Sequence, residues 1–137
     1  MNARTNASAA SPMLDSHPGF EPDEEGNCPI REVLDRVGDT WSLLVIINLQ
    51  AAPTRFNALK RSIEGISQRM LTVTLRSLER DGLVRRTVRP TTPPEVEYAL
   101  TELGHSIAVP VAALGIWAAR NRDALKAARS RFDTGQL

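Results

Sequence analysis

Apolar residues recur at helical spacing over most of this chain and switch to strand spacing in one short stretch. Val33, Leu34 and Val37 form a first short stripe, ended by Gly38 and opened by Pro29 in a first turn with Cys28 at the N-cap. Residues 40–49 are almost wholly apolar, so their period is compatible with a buried helix or a buried strand. The Val45-Ile46-Ile47 run leans towards a strand, while the length and a Thr40 cap lean towards a helix. Pro53-Thr54 predicts the next helix, with Thr54 as N-cap and Phe56, Leu59 and Ile63 on one face. After Glu64-Gly65-Ile66, Ser67 caps a helix over residues 68–81, whose stripe is Leu71, Leu75 and Leu78 and whose stop is Gly82. Two helices joined by a short glycine-containing turn make a helix-turn-helix candidate.

Beyond Gly82 the period shortens. Residues 83–88 and 96–100 read as strands around a proline-rich turn at 89–94, a hairpin in the position of a wing. Thr101 caps a long last helix, which Pro110 is expected to kink. From 106 to 119 that helix carries no charge, and Ile107, Val109, Val111, Leu114, Ile116 and Trp117 lie all round it. A surface helix needs one apolar stripe, so this one needs cover on several sides. A second copy of the chain is the economical cover, with Ile107, Val111, Leu114 and Trp117 as the dimer interface. The expected fold class is mainly α with a small β-hairpin: a winged helix-turn-helix with a long C-terminal dimerisation helix.

Composition narrows this picture. The 137 residues, 42% hydrophobic and 24% charged, suffice for one soluble domain, and 4% aromatics favour aliphatic helices as the core. Residues 1–27 lack a hydrophobic period and are read as a disordered acidic tail; the winged-helix domain is placed at 28–130 and a flexible C-terminus at 131–137. One cysteine excludes an internal disulfide framework, and with two histidines it leaves too few ligands for a dedicated metal cage. No secretory pattern opens the chain, and the uncharged run at 106–119 is shorter than the roughly 20 apolar residues that span a bilayer. The expectation is a cytoplasmic protein without a membrane partner.

The formal net charge of +1 conceals an asymmetry. Residues 1–27 hold one basic side chain against five acidic, whereas residues 55–89 hold nine basic against three acidic. Such a basic stretch points to an anionic partner. With 100° per residue, Arg69, Arg76 and Arg80 fall at about 160°, 140° and 180° from Leu71, on the face opposite the apolar stripe. Thr72 and Gln68 flank them. Arginine can bond a guanine edge bidentately and glutamine an adenine edge, so this face suits the major groove of double-stranded DNA. The candidate DNA-binding residues on this helix are Ser67, Gln68, Arg69, Thr72, Arg76 and Arg80, with Arg80 assigned to the backbone. Arg55, Lys60 and Arg61 on the preceding helix could hold phosphates. In the hairpin, strand alternation puts Arg85 and Arg86 on opposite faces, and Arg89 near the tip is the preferred groove contact.

Cys28 is the only thiol. At a helix N-cap the helix dipole and open N–H groups favour thiolate, which makes Cys28 a candidate sensing residue for an oxidant or small-molecule effector. Glu24 and Glu25 just upstream act against it. His17 falls in the tail and His105 on the last helix as a surface residue, with no nucleophile pattern nearby. No phosphate loop or metal-ligand cluster is present, so neither an enzyme nor a cofactor is expected. Two other classes stay open on the residues alone: a winged helix used for protein–protein contact, and a sensor whose DNA affinity is secondary.

An ordered set of short motifs resembles the HxlR family of bacterial winged-helix transcriptional regulators. It comprises Cys28-Pro29-Ile30, Gly38-Asp39-Thr40-Trp41-Ser42-Leu43-Leu44, Arg55-Phe56-Asn57-Ala58-Leu59 and Gly65-Ile66-Ser67-Gln68-Arg69-Met70-Leu71. It continues with Leu75-Arg76-Ser77-Leu78-Glu79, Asp81-Gly82-Leu83-Val84 and Pro94-Glu95-Val96-Glu97-Tyr98-Ala99-Leu100-Thr101-Glu102-Leu103-Gly104. The resemblance covers residues 28–122. It implies a homodimer paired through terminal helices, a 67–81 helix in the major groove, and a helix at 41–49. Some members sense oxidants or electrophiles through a cysteine near the start of the domain, the position of Cys28. Members that need a second cysteine for an intersubunit bridge have no counterpart here. The resemblance therefore leaves modification of Cys28, or no thiol sensing.

Overall fold

The computed structural model describes residues 19–135, in a chain that divides into two units, residues 1–40 and 41–137. Residues 1–18 of the expected tail, His17 among them, and residues 136–137 lie outside the described residues. In the first unit, Asp23 Oδ1 accepts from the backbone N–H of Glu25 at 2.9 Å and of Asn27 at 2.8 Å. This is a side-chain-supported turn of the kind aspartate favours. Helix α1 (Pro29–Val37) follows, with Pro29 in its first turn and Gly38 closing its end by donating to the Leu34 carbonyl at 2.8 Å. Of its apolar stripe Val37 is buried, whereas Val33 and Leu34 are exposed.

The second unit is built from α2 (Thr40–Gln50), β1 (Thr54–Arg55), α3 (Phe56–Ser62), α4 (Gln68–Arg80), β2 (Val84–Arg89), β3 (Glu95–Leu100), α5 (Glu102–Arg120) and α6 (Arg122–Asp133). Residues 40–50 are a helix, and Ser42, Val45, Ile46 and Leu49 are its buried positions. That i, i+3, i+4, i+7 spacing is the helical period that hydropathy alone did not display. Thr40 is the first helical residue rather than the cap before it.

Leu59 of α3, Leu71, Leu75 and Leu78 of α4, and Val45, Ile46 and Leu49 of α2 are each at most 1% exposed and form the centre of the core. Ile63 and Ile66 bury the turn between α3 and α4, where Gly65 takes a φ of +85° that a side chain would resist. Helix α4 ends in a Schellman motif: the Leu83 N–H donates to the Leu78 carbonyl at 2.9 Å and the Gly82 N–H to Glu79 at 3.0 Å. Gly82 supplies the required φ of +76°, and Leu83 and Leu78 are both buried.

The three strands form an antiparallel sheet in the order β1-β3-β2. In this sheet Thr54 pairs with Tyr98 and Arg55 with Glu97, which corrects the expected helix start. Thr54 is not an N-cap; its hydroxyl donates to the Ala52 carbonyl at 3.0 Å, and Arg55 occupies the N-cap position of α3. Two residues are too short to show a strand period, and β1 exists because β3 offers an edge to pair with.

Thr101 joins the hairpin to what precedes and follows it. Its hydroxyl donates to the Gly82 carbonyl at 2.6 Å and accepts the Gly104 N–H at 3.0 Å, so it caps α5 while fastening the end of the sheet to the end of α4. Helix α5 continues through Pro110 to Arg120. The single final helix expected from sequence is in fact two, because Asn121 leaves helical geometry at φ −110° and ψ 9°. Its side-chain amide and its backbone N–H both donate to the Trp117 carbonyl, at 2.8 and 3.0 Å, closing α5 before α6 begins. With 19 residues, α5 is long and apolar enough by length and composition to cross a membrane, more than its uncharged segment indicated. Helix α6 extends to Asp133, beyond the domain boundary expected at residue 130.

Candidate nucleic-acid interface

Helix α4 is the centre of the candidate interface. Ser67 Oγ accepts the Met70 N–H at 3.0 Å and so fixes the start of the helix. Leu71, Leu75 and Leu78 face the core, which leaves Arg69, Arg76 and Arg80 exposed on the opposite side, flanked by the exposed Gln68 and Thr72. The Thr72 hydroxyl donates to the Gln68 carbonyl at 2.9 Å. Towards a ligand it therefore offers lone pairs and a methyl group more readily than a proton. Among the described residues none of Arg69, Arg76 and Arg80 is engaged in an ion pair. Val73 stands on the same face, 54% exposed, a position the charge pattern alone had passed over.

The hairpin adds a second basic element. Arg85 pairs with Ala99 and Arg86 with Tyr98 in the β2–β3 register, so the two arginines lie on opposite faces of the sheet as their alternation requires. Arg86 shares its face with the buried Val84 and Tyr98, and it lines a cleft together with Thr72, Arg76, Glu79 and Tyr98. Sequence reasoning weighed Arg86 with Arg85 and Arg89 and preferred Arg89; the structure puts Arg86 beside α4. The alternation signal was present, but which sheet face meets α4 is decided by packing.

The other basic candidates differ in their surroundings. Arg55 Nη2 bonds Glu95 Oε2 at 2.7 Å, and Arg89 Nη2 lies 3.4 Å from Glu97 Oε1 and 3.5 Å from Oε2. Lys60 and Arg61 are exposed in the last turn of α3 and have no ion pair among the described residues. His105 is exposed on α5, where it was placed from sequence.

Two further groups of candidates lie elsewhere. Cys28 occupies the N-cap position of α1 and is half-buried, but it makes no side-chain cap bond. Its Sγ instead faces the carbonyl oxygens of Phe20 at 3.8 Å and Gly19 at 4.0 Å. On α5 only Gly104 and Ala108 are fully buried. Of the candidate dimer residues, Ile107 and Val111 are half-buried, while Leu114 and Trp117 remain 60% and 53% exposed.

A three-helix core, an arginine-faced second helix after a tight turn, and a hairpin directly behind it define a winged helix-turn-helix protein. Residues 36–126 match the family model described as HxlR-like helix-turn-helix. The chain belongs to that family. It is 41% identical over 111 residues to the HTH-type transcriptional regulator YtfH of Escherichia coli (strain K12), covering 77% of this chain and 88% of that one. The solved structure of the putative transcriptional regulator ytfH from Salmonella typhimurium is 39% identical and superposes with a TM-score of 0.72, covering 81% of this chain and all of that one. The redox regulator HypR in its reduced form is likewise 39% identical, with a TM-score of 0.69 over 72% of this chain and 98% of that one. The protein is a helix-turn-helix transcriptional regulator, as its family and relatives are, and not an enzyme.

Proposed function

We propose that the chain acts in the cytoplasm as a homodimer that recognises a short palindromic operator, with α4 of each copy in the major groove. The observation that carries this reading is the solvent face of α4, where three arginines without a carboxylate partner among the described residues stand opposite a stripe of buried leucines. Gln68, Arg69, Thr72 and Arg76, near the helix start, are assigned to bases, Arg80 to the backbone, and Arg86 to phosphate beside α4. Lys60 and Arg61 supply phosphate contacts from α3. The dimer follows from α5, whose exposed Leu114 and Trp117 need cover, and a two-fold pair presents two reading heads to a symmetric site. The working domain in this reading begins at residue 28 and runs to the end of α6 at Asp133, and residues 1–27 are an acidic tail outside it.

The experiment is a titration of the purified protein into DNA upstream of its own gene and its divergent neighbour, at two salt concentrations. Specific, salt-sensitive binding is the expected result. No duplex binding at either salt would remove the reading in favour of a winged helix used for protein contact. A thiol-responsive version is favoured by the likeness to HypR and by the place of Cys28 at the start of α1. Repeating the titration with a mild oxidant separates the two: weakened binding that Cys28→Ser prevents supports it, and indifference to oxidant discards it.

A further inference from the structure

We infer that Glu95 and Glu97 limit the sequence-independent grip of the sheet and wing on DNA by occupying two of the four sheet arginines, Arg55 and Arg89, which would otherwise be given to phosphate. The inference rests on the DNA-binding reading above and adds a specificity-determining role for two acidic residues.

The geometry begins with the alternation of β3. Glu95 and Glu97 lie two residues apart and share one face of the central strand, away from the buried Tyr98 and Leu100. Arg55 on β1 is the cross-strand partner of Glu97, and Arg89 on β2 is the partner of Glu95. The ion pairs run diagonally, Arg55 to Glu95 at 2.7 Å and Arg89 to Glu97 at 3.4 Å, so each carboxylate stands beside both guanidinium-bearing strands. The acids are the more enclosed members: their side chains are 32% and 27% exposed against 58% and 54% for the arginines. The carboxylates are thus seated in the sheet, while the guanidinium groups reach outwards. These are the ion pairs among the described residues, and none involves an arginine of α4.

Pairs this exposed contribute little to folding, since solvent and salt screen them. Their effect falls on a polyanion. A phosphate that takes either guanidinium approaches a fixed carboxylate and is repelled by it, and a neutralised arginine releases fewer counterions from DNA. Non-specific affinity is made of such phosphate contacts, whereas base contacts carry discrimination. A sheet face on which two of three arginines are offset, Arg85 being the third, therefore leaves more of the choice of site to α4, which is specificity gained by weakening the wrong complexes.

The test uses the full chain and a labelled random-sequence duplex two helical turns long, titrated across a range of salt. E95Q/E97Q keeps side-chain size and hydrogen bonding; D123N/D133N on α6 makes the same change in net charge away from the sheet. We expect E95Q/E97Q to bind several-fold more tightly than D123N/D133N, with a salt slope steeper by up to about 2, roughly 0.9 per added phosphate contact. The gain should vanish when Arg55→Gln and Arg89→Gln are added. Equal affinities for the two charge-matched variants would overturn the inference, as would a gain that survives loss of both arginines. Weaker binding by E95Q/E97Q would also overturn it, by showing that the acids orient the arginines for phosphate. Thermal melting checks that each variant is folded. If the wild type and every variant lack salt-dependent binding, the DNA-binding reading itself falls and takes this inference with it.

Discussion

Gly104 lies against the carbonyl oxygen of Leu83 so closely that a β-carbon at position 104 would overlap it. The same carbonyl accepts the Thr101 N–H at 3.0 Å, so the backbone there is held from both sides. In an open helix Gly→Ala is favourable by up to about 1 kcal/mol. Here the obstacle is main chain, which cannot rotate aside. Gly104→Ala should destabilise the protein by about 2 kcal/mol or more, as a lowered denaturation midpoint at unchanged m value.

Arg76 and Arg86 line one cleft from two different elements, and they should fail differently. Arg76→Ala is expected to cost roughly 1–3 kcal/mol and to relax preference at one operator position. Arg86→Ala should weaken binding about equally on all sequences and lower the salt slope by about 1. Competition titrations with single-base operator variants separate these outcomes. A uniform loss for Arg76→Ala would reassign that residue to phosphate.

Leu114 and Trp117 on α5 are the most direct test of the proposed dimer. Replacing both with glutamate places charge where the second copy would sit, at a cost no exposed helix face would register. Sedimentation equilibrium should show a fall from twice the chain mass to the chain mass, with helix content kept. A wild type that is already monomeric at micromolar concentration would refute the dimer directly.

Val73, exposed among the arginines of α4, is placed to meet a thymine methyl group. Once an operator is in hand, replacing one contacted thymine by uracil should weaken wild-type binding and leave Val73→Ala unaffected. If both proteins lose equally at every thymine, Val73 makes no such contact.

Much of the fold is legible in the residues because its signals are local. Ser67 and Thr101 were readable as caps since a hydroxyl before an apolar-periodic run satisfies N–H groups that have no partner in their own helix. Gly82 was readable as a stop because only a residue without a β-carbon enters the left-handed region cheaply. The arginine face of α4 followed from helical geometry alone, and the opposition of Arg85 and Arg86 from strand alternation.

What the tertiary structure decided lies between elements distant in the chain. Residues 40–50 are apolar all round, so their helical state shows only in which of them are buried. Strand β1 has two residues and no pattern of its own; it is a strand because β3, forty residues later, presents free N–H and C=O groups to it. That pairing also brings Arg55 to Glu95, across a separation no local rule spans. The packing of the hairpin on α4, in turn, places Arg86 rather than Arg89 beside Arg76. Caps, stops and helix faces depend on neighbours within one turn, and a sequence displays those directly. Ion pairs across a sheet and the choice of which face meets a helix depend on contacts formed only when the core closes.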